Sequence, residues 1–421
     1  MLKRTMKSND DEVFPLGFGA MRLPTKNNSI DKDLAREIIY YGIDNGINFI
    51  DTAYNYHGGE SESFLGEILN EFDSNGVKYY DKVRLSTKLP SWLVKSYEDM
   101  ETLFEEQLNR LQTDSIDYYF IHSIDLSTLR RLESLGLYDF LEKLKHENKI
   151  KNIGFSYHGS KNEFKEVVDS YNWDMCLIQY NYLDTNIQAG TAGMKYAYSK
   201  DLEIFIMEPL KGGILADKLP KDAEKLFKNL DNNRSPANWA LSWVLNHKEV
   251  TCVLSGMGNI DEINENITVS NKIKVNPLTK EELTVIRNVK KIINSSVKIN
   301  CTSCGYCLEC PQGVNIPECF NIYNEKHIFN LKLIGPIPHA LLRYYMIVGG
   351  IMNKPAYAGL CNECGRCMSH CPQSINIPQE LKTVSKEFEG HGFKYKSAFI
   401  KNIGLPLSNK LSKFFDFFKS A

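Results

Sequence analysis

The chain has 421 residues, of which 43% are hydrophobic and 24% charged, with a formal net charge of −2. That length exceeds one small core and calls for a body with at least one appended module. The near-neutral balance excludes a broad basic face for nucleic acid and favours a small-molecule or protein partner.

The N-terminal stretch "MLKRTMKSNDDEVFPLGFGAMRL" has no apolar run after its basic residues. It therefore predicts a cytoplasmic protein without a secretory signal. Short β-branched or aromatic runs then alternate with amphipathic stretches. "LGFGAMRL" comes first, followed by "INFIDTA", "VRLSTKL", "IDYYFIH", "IKNIGFS", "MCLIQYN", "EIFIMEPL" and "VTCVLSG". After the first run, "DLAREIIYYGIDNG" sets Leu34, Ile38 and Ile39 on one helical stripe that ends near a glycine. Further on, Met100, Leu103, Phe104, Leu108 and Leu111 recur at helical spacing. Eight strands alternating with helices predict a parallel sheet closed into a (β/α)8 TIM barrel. An open doubly wound sheet fits less well, because "GFGAMR" lacks the third glycine of a dinucleotide fingerprint and no helix follows it directly.

Chemistry in such a barrel belongs at the C-terminal ends of the strands. Asp51 follows "INFI", Lys88 follows "RLST" and His122 follows "DYYFI", while Tyr56 stands in the loop "AYNYHGGESE". One such residue alone reads as a strand-end polar group with a satisfied hydrogen bond; three successive strands ending this way point to a site. A tyrosine with a pKa of about 10 is a poor acid at neutral pH. An ammonium beside it stabilises the phenolate, and a carboxylate keeps that ammonium charged and placed. A histidine then orients a carbonyl oxygen. The set suits carbonyl reduction, with hydride going to carbon and a proton to oxygen.

"DTAYNYHGGESE", "RLSTKLP", "DYYFIHSID", "IGFSYHG", "IQYNYLD", "EPLKGG" and "VLSGMGNIDEINENI" resemble the aldo/keto reductase family in order and spacing, over roughly residues 10–295. The resemblance implies that Asp51, Tyr56, Lys88 and His122 match the family's catalytic tetrad, with Tyr56 as proton donor. It also implies an extended nicotinamide cofactor, NADP(H) or NAD(H), with Ser156 and Gln179 on the nicotinamide. Met207, Glu208, Pro209, Leu210 and Gly212 of the "MEPLKGG" turn, together with Ser255, Gly256 and Met257 of "LSGMGN", would then hold the pyrophosphate and adenosine end. Asn266 would touch adenine. The chain departs from the family pattern in three places. Tyr157 stands where many members have asparagine, and Met207 or Glu208 where many stack a tyrosine. Gly256, Met257 and Glu262 stand where a lysine and an arginine usually meet a 2′-phosphate. An acid there disfavours that phosphate and admits NADH or a flavin nucleotide such as FMN.

Of 11 cysteines, eight form two combs, and Cys176, Cys252 and Cys319 lie outside them. Clustered cysteines in a cytosolic chain favour metal over disulfides. Cys301, Cys304, Cys307 and Cys310 lie in "CTSCGYCLECPQGVNIP", and Cys361, Cys364, Cys367 and Cys371 in "CNECGRCMSHCPQSINIP". The two-residue spacing points three thiolates at one iron–sulfur cube, with a fourth cysteine before proline arriving from elsewhere. CxxC pairs also bind zinc, yet four cysteines followed by proline, twice, favour two 4Fe-4S clusters. Two-cluster ferredoxins exchange their fourth cysteines. The expected sets are therefore Cys301, Cys304, Cys307 and Cys371, and Cys361, Cys364, Cys367 and Cys310, with Cys319 as the alternative to Cys310.

About fifty residues separate the combs, which resembles the α-helical ferredoxin type. Within them "LIGPIPHALLRYYMIVGGI" is apolar, but Pro336, Pro338, His339 and Arg343 interrupt it. That predicts buried helices and no membrane span. The expected division is a barrel over 1–275, a helical connector over 276–300, a mostly α-helical ferredoxin-like domain over 301–385 and a tail over 386–421. The tail's "LSNKLSKFFDFFKSA" suits a short amphipathic helix docked on the body.

A cluster passes one electron, whereas a nicotinamide moves two as hydride, so coupling them needs an adapter, commonly a flavin. Three readings follow. The first is an iron–sulfur oxidoreductase acting on a carbonyl or similar small substrate, with NAD(P)H and/or electrons relayed through the clusters from a ferredoxin-like carrier. The second is a plain NAD(P)H-dependent carbonyl reductase whose clusters are structural or sense oxidants. The third is a redox-responsive binding protein without turnover, against which the intact tetrad weighs.

Overall fold

The computed structural model describes residues 3–7, 10–27, 29–159, 161–329, 333–334, 337–351, 354–390, 392, 393, 395 and 397. Eight strands form a closed parallel barrel: Leu16–Gly19 (β1), Phe49–Asp51 (β2), Arg84–Leu89 (β3), Ile116–Ile124 (β4), Ile150–Tyr157 (β5), Met175–Gln179 (β6), Glu203–Met207 (β7) and Val250–Ser255 (β8). The ring closes where Val253 of β8 stands opposite Leu16 of β1. The eight apolar runs of the sequence are these strands. They read as near-continuous hydrophobic segments because both faces of a barrel strand are covered; every residue of β4 except Ser123 is buried.

Helices cross between the strands and pack on the outside. On Tyr97–Leu111 the five residues at helical spacing are all buried, and the Ser96–Asp99 capping box fixes its start. On Lys32–Asp44 the inward residues are Ala35, Ile38, Ile39, Gly42 and Ile43. Leu34, expected on that stripe, is exposed, because Ala35 takes the inward position of its turn.

The barrel interior is filled by Phe49, Tyr118, Phe120, Leu177 and Phe205. Gly17 lets these side chains close in, since a Cβ at that position would lie 2.7 Å from Leu254 Cδ2 and push that side chain aside. A hairpin pairing Arg4–Thr5 with Glu12–Val13 covers the N-terminal end. Tyr118 Oη donates to Asp11 Oδ2 at 2.8 Å, and Arg84, at the start of β3, donates to Asp11 Oδ1 at 3.0 Å. With that end filled and covered, the C-terminal strand ends are left to carry chemistry.

The chain divides into two compact units, residues 1–217 with 226–287 and residues 218–225 with 288–421. The division falls inside the helix Lys280–Ser296. The second unit is mostly helical, with Ile316–Phe329, His339–Ile347 and Ile377–Phe388. A short antiparallel pair, Leu333–Ile334 with Ile337–Pro338, precedes the second of these. The sequence predicts helix across this apolar stretch; the helix begins at His339, directly after Pro338. The core of the unit gathers Phe320, Tyr344, Val384 and Phe388, with Tyr344 stacked on Phe388 at 4.6 Å. Among the described residues no helix is long and apolar enough to cross a membrane. The amphipathic helix expected over 407–421 lies outside the described residues.

Candidate active site and cysteine cavities

Asp51 ends β2, Lys88 lies one residue before the end of β3, and His122 lies near the end of β4. Three successive strands thus deliver three polar groups to one mouth of the barrel. Lys88 Nζ donates to Asp51 Oδ2 at 2.7 Å, to the Thr52 carbonyl at 2.7 Å and to Tyr56 Oη at 3.2 Å. Tyr56 reaches this position through a tight turn in which His57, Gly58 and Gly59 are all left-handed. His57 holds the turn by accepting the Leu23 amide on Nε2 at 3.1 Å. Lys88 and Asp51 are both buried. Burial lowers the lysine pKa, and the facing carboxylate opposes that fall.

The β4–β5 register shifts between Ile121 and Ile124, and Ser123 is left-handed at φ +55°. Such an irregularity re-aims a neighbouring side chain, here His122. Ser156 Oγ on β5 accepts the Ser123 amide at 2.7 Å and fixes the kink. The His122 ring stands edge-on to Tyr56 with centroids 6.1 Å apart. Burial first, then the Lys88 charge and His158, hold His122 well below the usual histidine pKa. It is neutral at pH 7.

The remaining sequence candidates fall on the other half of the rim. Ser156 and Gln179 lie near the ends of β5 and β6, and Met207 ends β7. Glu208, Pro209, Leu210 and Gly212 form the turn that follows, with Glu208 at φ +55° and Gly212 at φ +64°. Burial raises the Glu208 carboxyl pKa, and Arg22, 3.4 Å away, opposes that rise. Ser255 ends β8, with Gly256 and Met257 after it. Asn266, on the helix Ile260–Lys272, donates to Ser255 Oγ at 3.4 Å. Glu262 folds back at the start of that helix and accepts the Gly258 amide at 2.8 Å. Tyr157 turns into the core against Phe164, with centroids 4.8 Å apart.

Several site residues are not visible as such in the sequence. Trp92, 42% exposed, stands 5.1 Å from the His122 ring; an aromatic in the loop after a barrel strand was its only signal. Glu62, fully buried, accepts from Thr87 Oγ1 at 2.6 Å and Gln107 Nε2 at 2.7 Å. Gln107 also donates to the Lys88 carbonyl at 3.0 Å, which holds the strand that presents Lys88. Asp184 and Lys211 form a second buried ion pair at 2.6 Å. The motifs "GESE", "NYLD" and "EPLKGG" contain these residues without disclosing whom they meet.

In the second unit the combs adopt matching turns. Ser303 and Glu363 are left-handed at φ +56° and +61°, as are Gly305 and Gly365. The Ser303 amide donates to Cys301 Sγ and the Glu363 amide to Cys361 Sγ, both at 3.4 Å. Cys301, Cys304, Cys307 and Cys371 line one cavity. Cys310, Cys361, Cys364 and Cys367 line a second, whose wall also includes Cys307. The fourth cysteine of each comb therefore lies beside the first three of the other. Burial, with neighbouring thiols adding to it, pushes the Cys301 thiol up to about 11; a bound cation inverts that balance and favours thiolate. Among the described residues no three His, Cys, Asp or Glu side chains gather on a single-ion site. Four thiols around one cavity provide the ligand number that an iron–sulfur cluster takes. Cys319 lines neither cavity; it is buried, with Sγ 3.7 Å from the Ala356 carbonyl.

A family model described as the aldo/keto reductase family matches residues 15–291. A second, described as a 4Fe-4S dicluster domain, matches residues 300–376. The chain is similar to L-galactose dehydrogenase of Arabidopsis thaliana, 24% identical over 301 residues, which cover 68% of this chain and 93% of the relative. It is also similar to the NADH-specific methylglyoxal reductase of Escherichia coli (strain K12), 23% identical over 312 residues, or 64% of this chain and 94% of the relative. Among solved structures it resembles an aldo-keto reductase from Bacillus halodurans in its holo form, with 27% identity and a TM-score of 0.56, covering 69% of this chain and 96% of that one.

Proposed function

The chain belongs to the aldo/keto reductase family, and from that premise we propose an iron–sulfur oxidoreductase that reduces a carbonyl or similar small substrate at the barrel mouth. The reading rests on one observation: Lys88 Nζ donates at once to Asp51 and to Tyr56 Oη in a buried strand-end cluster beside a neutral His122.

A bound nicotinamide nucleotide, NADP(H) or NAD(H), supplies hydride to the carbonyl carbon. The chain's own groups handle the oxygen. Tyr56 gives its hydroxyl proton to the carbonyl oxygen as the carbon–hydrogen bond forms, which leaves a phenolate. Lys88, already hydrogen-bonded to that oxygen, stabilises the phenolate, and Asp51 keeps Lys88 charged in spite of its burial. Neutral His122 orients the carbonyl through a ring N–H, and Trp92 offers a wall for the substrate. Ser156 and Gln179 hold the nicotinamide end. The turn with Met207, Glu208, Pro209, Leu210 and Gly212, together with Ser255, Gly256, Met257 and Asn266, holds the rest of the nucleotide. The likeness to an L-galactose dehydrogenase and to a methylglyoxal reductase supports a small oxygenated substrate.

Cys301, Cys304, Cys307 and Cys371, and Cys310, Cys361, Cys364 and Cys367, would hold 4Fe-4S clusters, which would supply single-electron exchange with a ferredoxin-like carrier; coupling that exchange to hydride chemistry would call for a two-electron adapter such as a flavin. Anaerobically purified protein assayed for NAD(P)H oxidation with a panel of aldehydes and ketones tests the barrel reading. Tyr56→Phe should lower that activity by about 10²–10⁴-fold, and a variant that keeps the wild-type rate rejects the assignment.

A further inference from the structure

The second buried ion pair lies on the rim opposite the tetrad. Lys211 Nζ meets Asp184 Oδ2 at 2.6 Å, with side chains only 1% and 6% exposed. The same carboxylate oxygen accepts Gln179 Nε2 at 2.7 Å and Asn181 Nδ2 at 3.1 Å. Gln188 Nε2 donates to Gln179 Oε1 at 3.2 Å, so both ends of the Gln179 amide are set. Asn181 Nδ2 also donates to the Glu208 carbonyl at 3.0 Å. The loop after β6 is thereby tied twice to the turn after β7.

That turn needs tethering. Glu208, Lys211, Gly212 and Gly213 have φ of +55°, +49°, +64° and +90°. Glycine accepts the left-handed region readily, whereas glutamate and lysine do so at a cost. Such backbone persists where its surroundings over-determine it, and it clusters at binding sites. Glycine at 211 would relieve the strain, so a lysine there points to a role for its side chain. Its ammonium is buried and must be paired, and its partner is the carboxylate that fixes Gln179.

We propose that Asp184–Lys211 is a positioning latch that joins the two ends of the nucleotide site, holding the Gln179 amide and the 207–213 turn in one geometry before the cofactor arrives. The proposal rests on the reading of the barrel as a nucleotide-dependent reductase. Neither residue hydrogen-bonds to Asp51, Tyr56, Lys88 or His122. The latch therefore acts on nucleotide affinity more than on the hydride step, because a preset site spares the nucleotide the ordering of two loops.

The test uses the full-length protein carrying the double substitution Asp184→Asn/Lys211→Met, which leaves no unpaired buried charge, alongside Lys211→Arg. Nucleotide dissociation constants come from fluorescence titration with NADH and NADPH, and kcat and KM from steady-state assays. The double variant should raise Kd and KM for nucleotide by about tenfold or more, with a smaller change in kcat, and Lys211→Arg should recover most of the affinity. A double variant that binds nucleotide like the wild type and only melts earlier overturns the latch, as does one whose kcat falls more than its KM rises. If the double variant does not fold, Asn181→Ala cuts only the ties made by that side chain. It should still weaken nucleotide binding, and an unchanged Kd overturns the proposal. Wild-type protein that binds neither nucleotide overturns the reductase reading and the latch with it, whereas equal binding by wild type and variants overturns the latch alone.

Discussion

The barrel and the cysteine-bearing unit treat their polar groups in opposite ways. In the barrel, the buried charges at the rim meet partners within hydrogen-bonding distance, Lys88 with Asp51 at 2.7 Å and Lys211 with Asp184 at 2.6 Å. Its geometry is set by the chain itself. In the second unit two sets of four thiols surround cavities, and burial raises the pKa of the Cys301 and Cys307 thiols. That arrangement of thiols suits the cationic clusters proposed for it. The contrast separates a site preorganised for transition-state chemistry from one organised by what it binds.

Removing iron gives the largest expected effect and falls on one side only. Metal-binding free energy in such a site is folding free energy, on the order of 10 kcal/mol. Anaerobic chelation should therefore cost the second unit its fixed structure while the barrel's thermal transition stays in place, as followed by circular dichroism and iron analysis. A single unchanged transition after complete iron loss would show that the unit holds itself together. Cys364 is exposed while the other comb cysteines are partly buried, so the set that contains it should lose iron first.

Tyr56→Phe comes next and falls on the other side. Loss of a positioned general acid should lower kcat by about 10²–10⁴-fold, with iron content and the melting profile unchanged. Lys88→Met follows, because it strands the buried Asp51 carboxylate. It should destabilise the barrel by about 3–5 kcal/mol, read as a lower urea midpoint. A midpoint equal to wild type would mean that Asp51 finds another partner or a proton at no cost.

The smallest effect is a pH dependence. Burial holds the His158 pKa at about 4, below its ordinary value of 6.5, so the unfolded chain binds the extra proton and stability rises with pH. This contribution is complete above about pH 6.5 and is lost as pH falls toward 4. Going from pH 7 to 5 should cost about 2 kcal/mol through His158 alone, with the likewise depressed His122 acting in the same direction. Replacing His158 with glutamine should make the urea midpoint fall less between those two pH values, while His122 keeps part of the slope, and an unchanged slope assigns the dependence to other groups.

Much of this arrangement was legible because topology makes it so. A parallel barrel puts chemistry at strand ends, and the apolar runs before Asp51, Lys88 and His122 marked those ends directly. Comb spacing was equally readable, since ligands to one group must be close in sequence or supplied from a repeat. What stayed hidden depends on meetings between distant residues. No local pattern shows that Gln107 on a helix braces the Lys88 carbonyl, or that Lys211 reaches back to Asp184. The kink at Ser123 is held by Ser156, and the lowered His122 pKa comes from burial first and then from Lys88, none of which shows before the chain is folded. Leu34 was misplaced for a simpler reason: periodicity fixes a stripe, and a small residue beside a large one can take the inward place.

The central claim is that the two units serve one reaction. Anaerobic carbonyl reduction driven by a reduced one-electron carrier, with oxidised nicotinamide and a flavin nucleotide supplied but no NAD(P)H, tests it most directly when wild type is compared with a variant carrying serine at Cys361, Cys364 and Cys367. The account predicts that wild type forms one alcohol for every two electrons and that the variant forms none. Equal rates in the two proteins would contradict it.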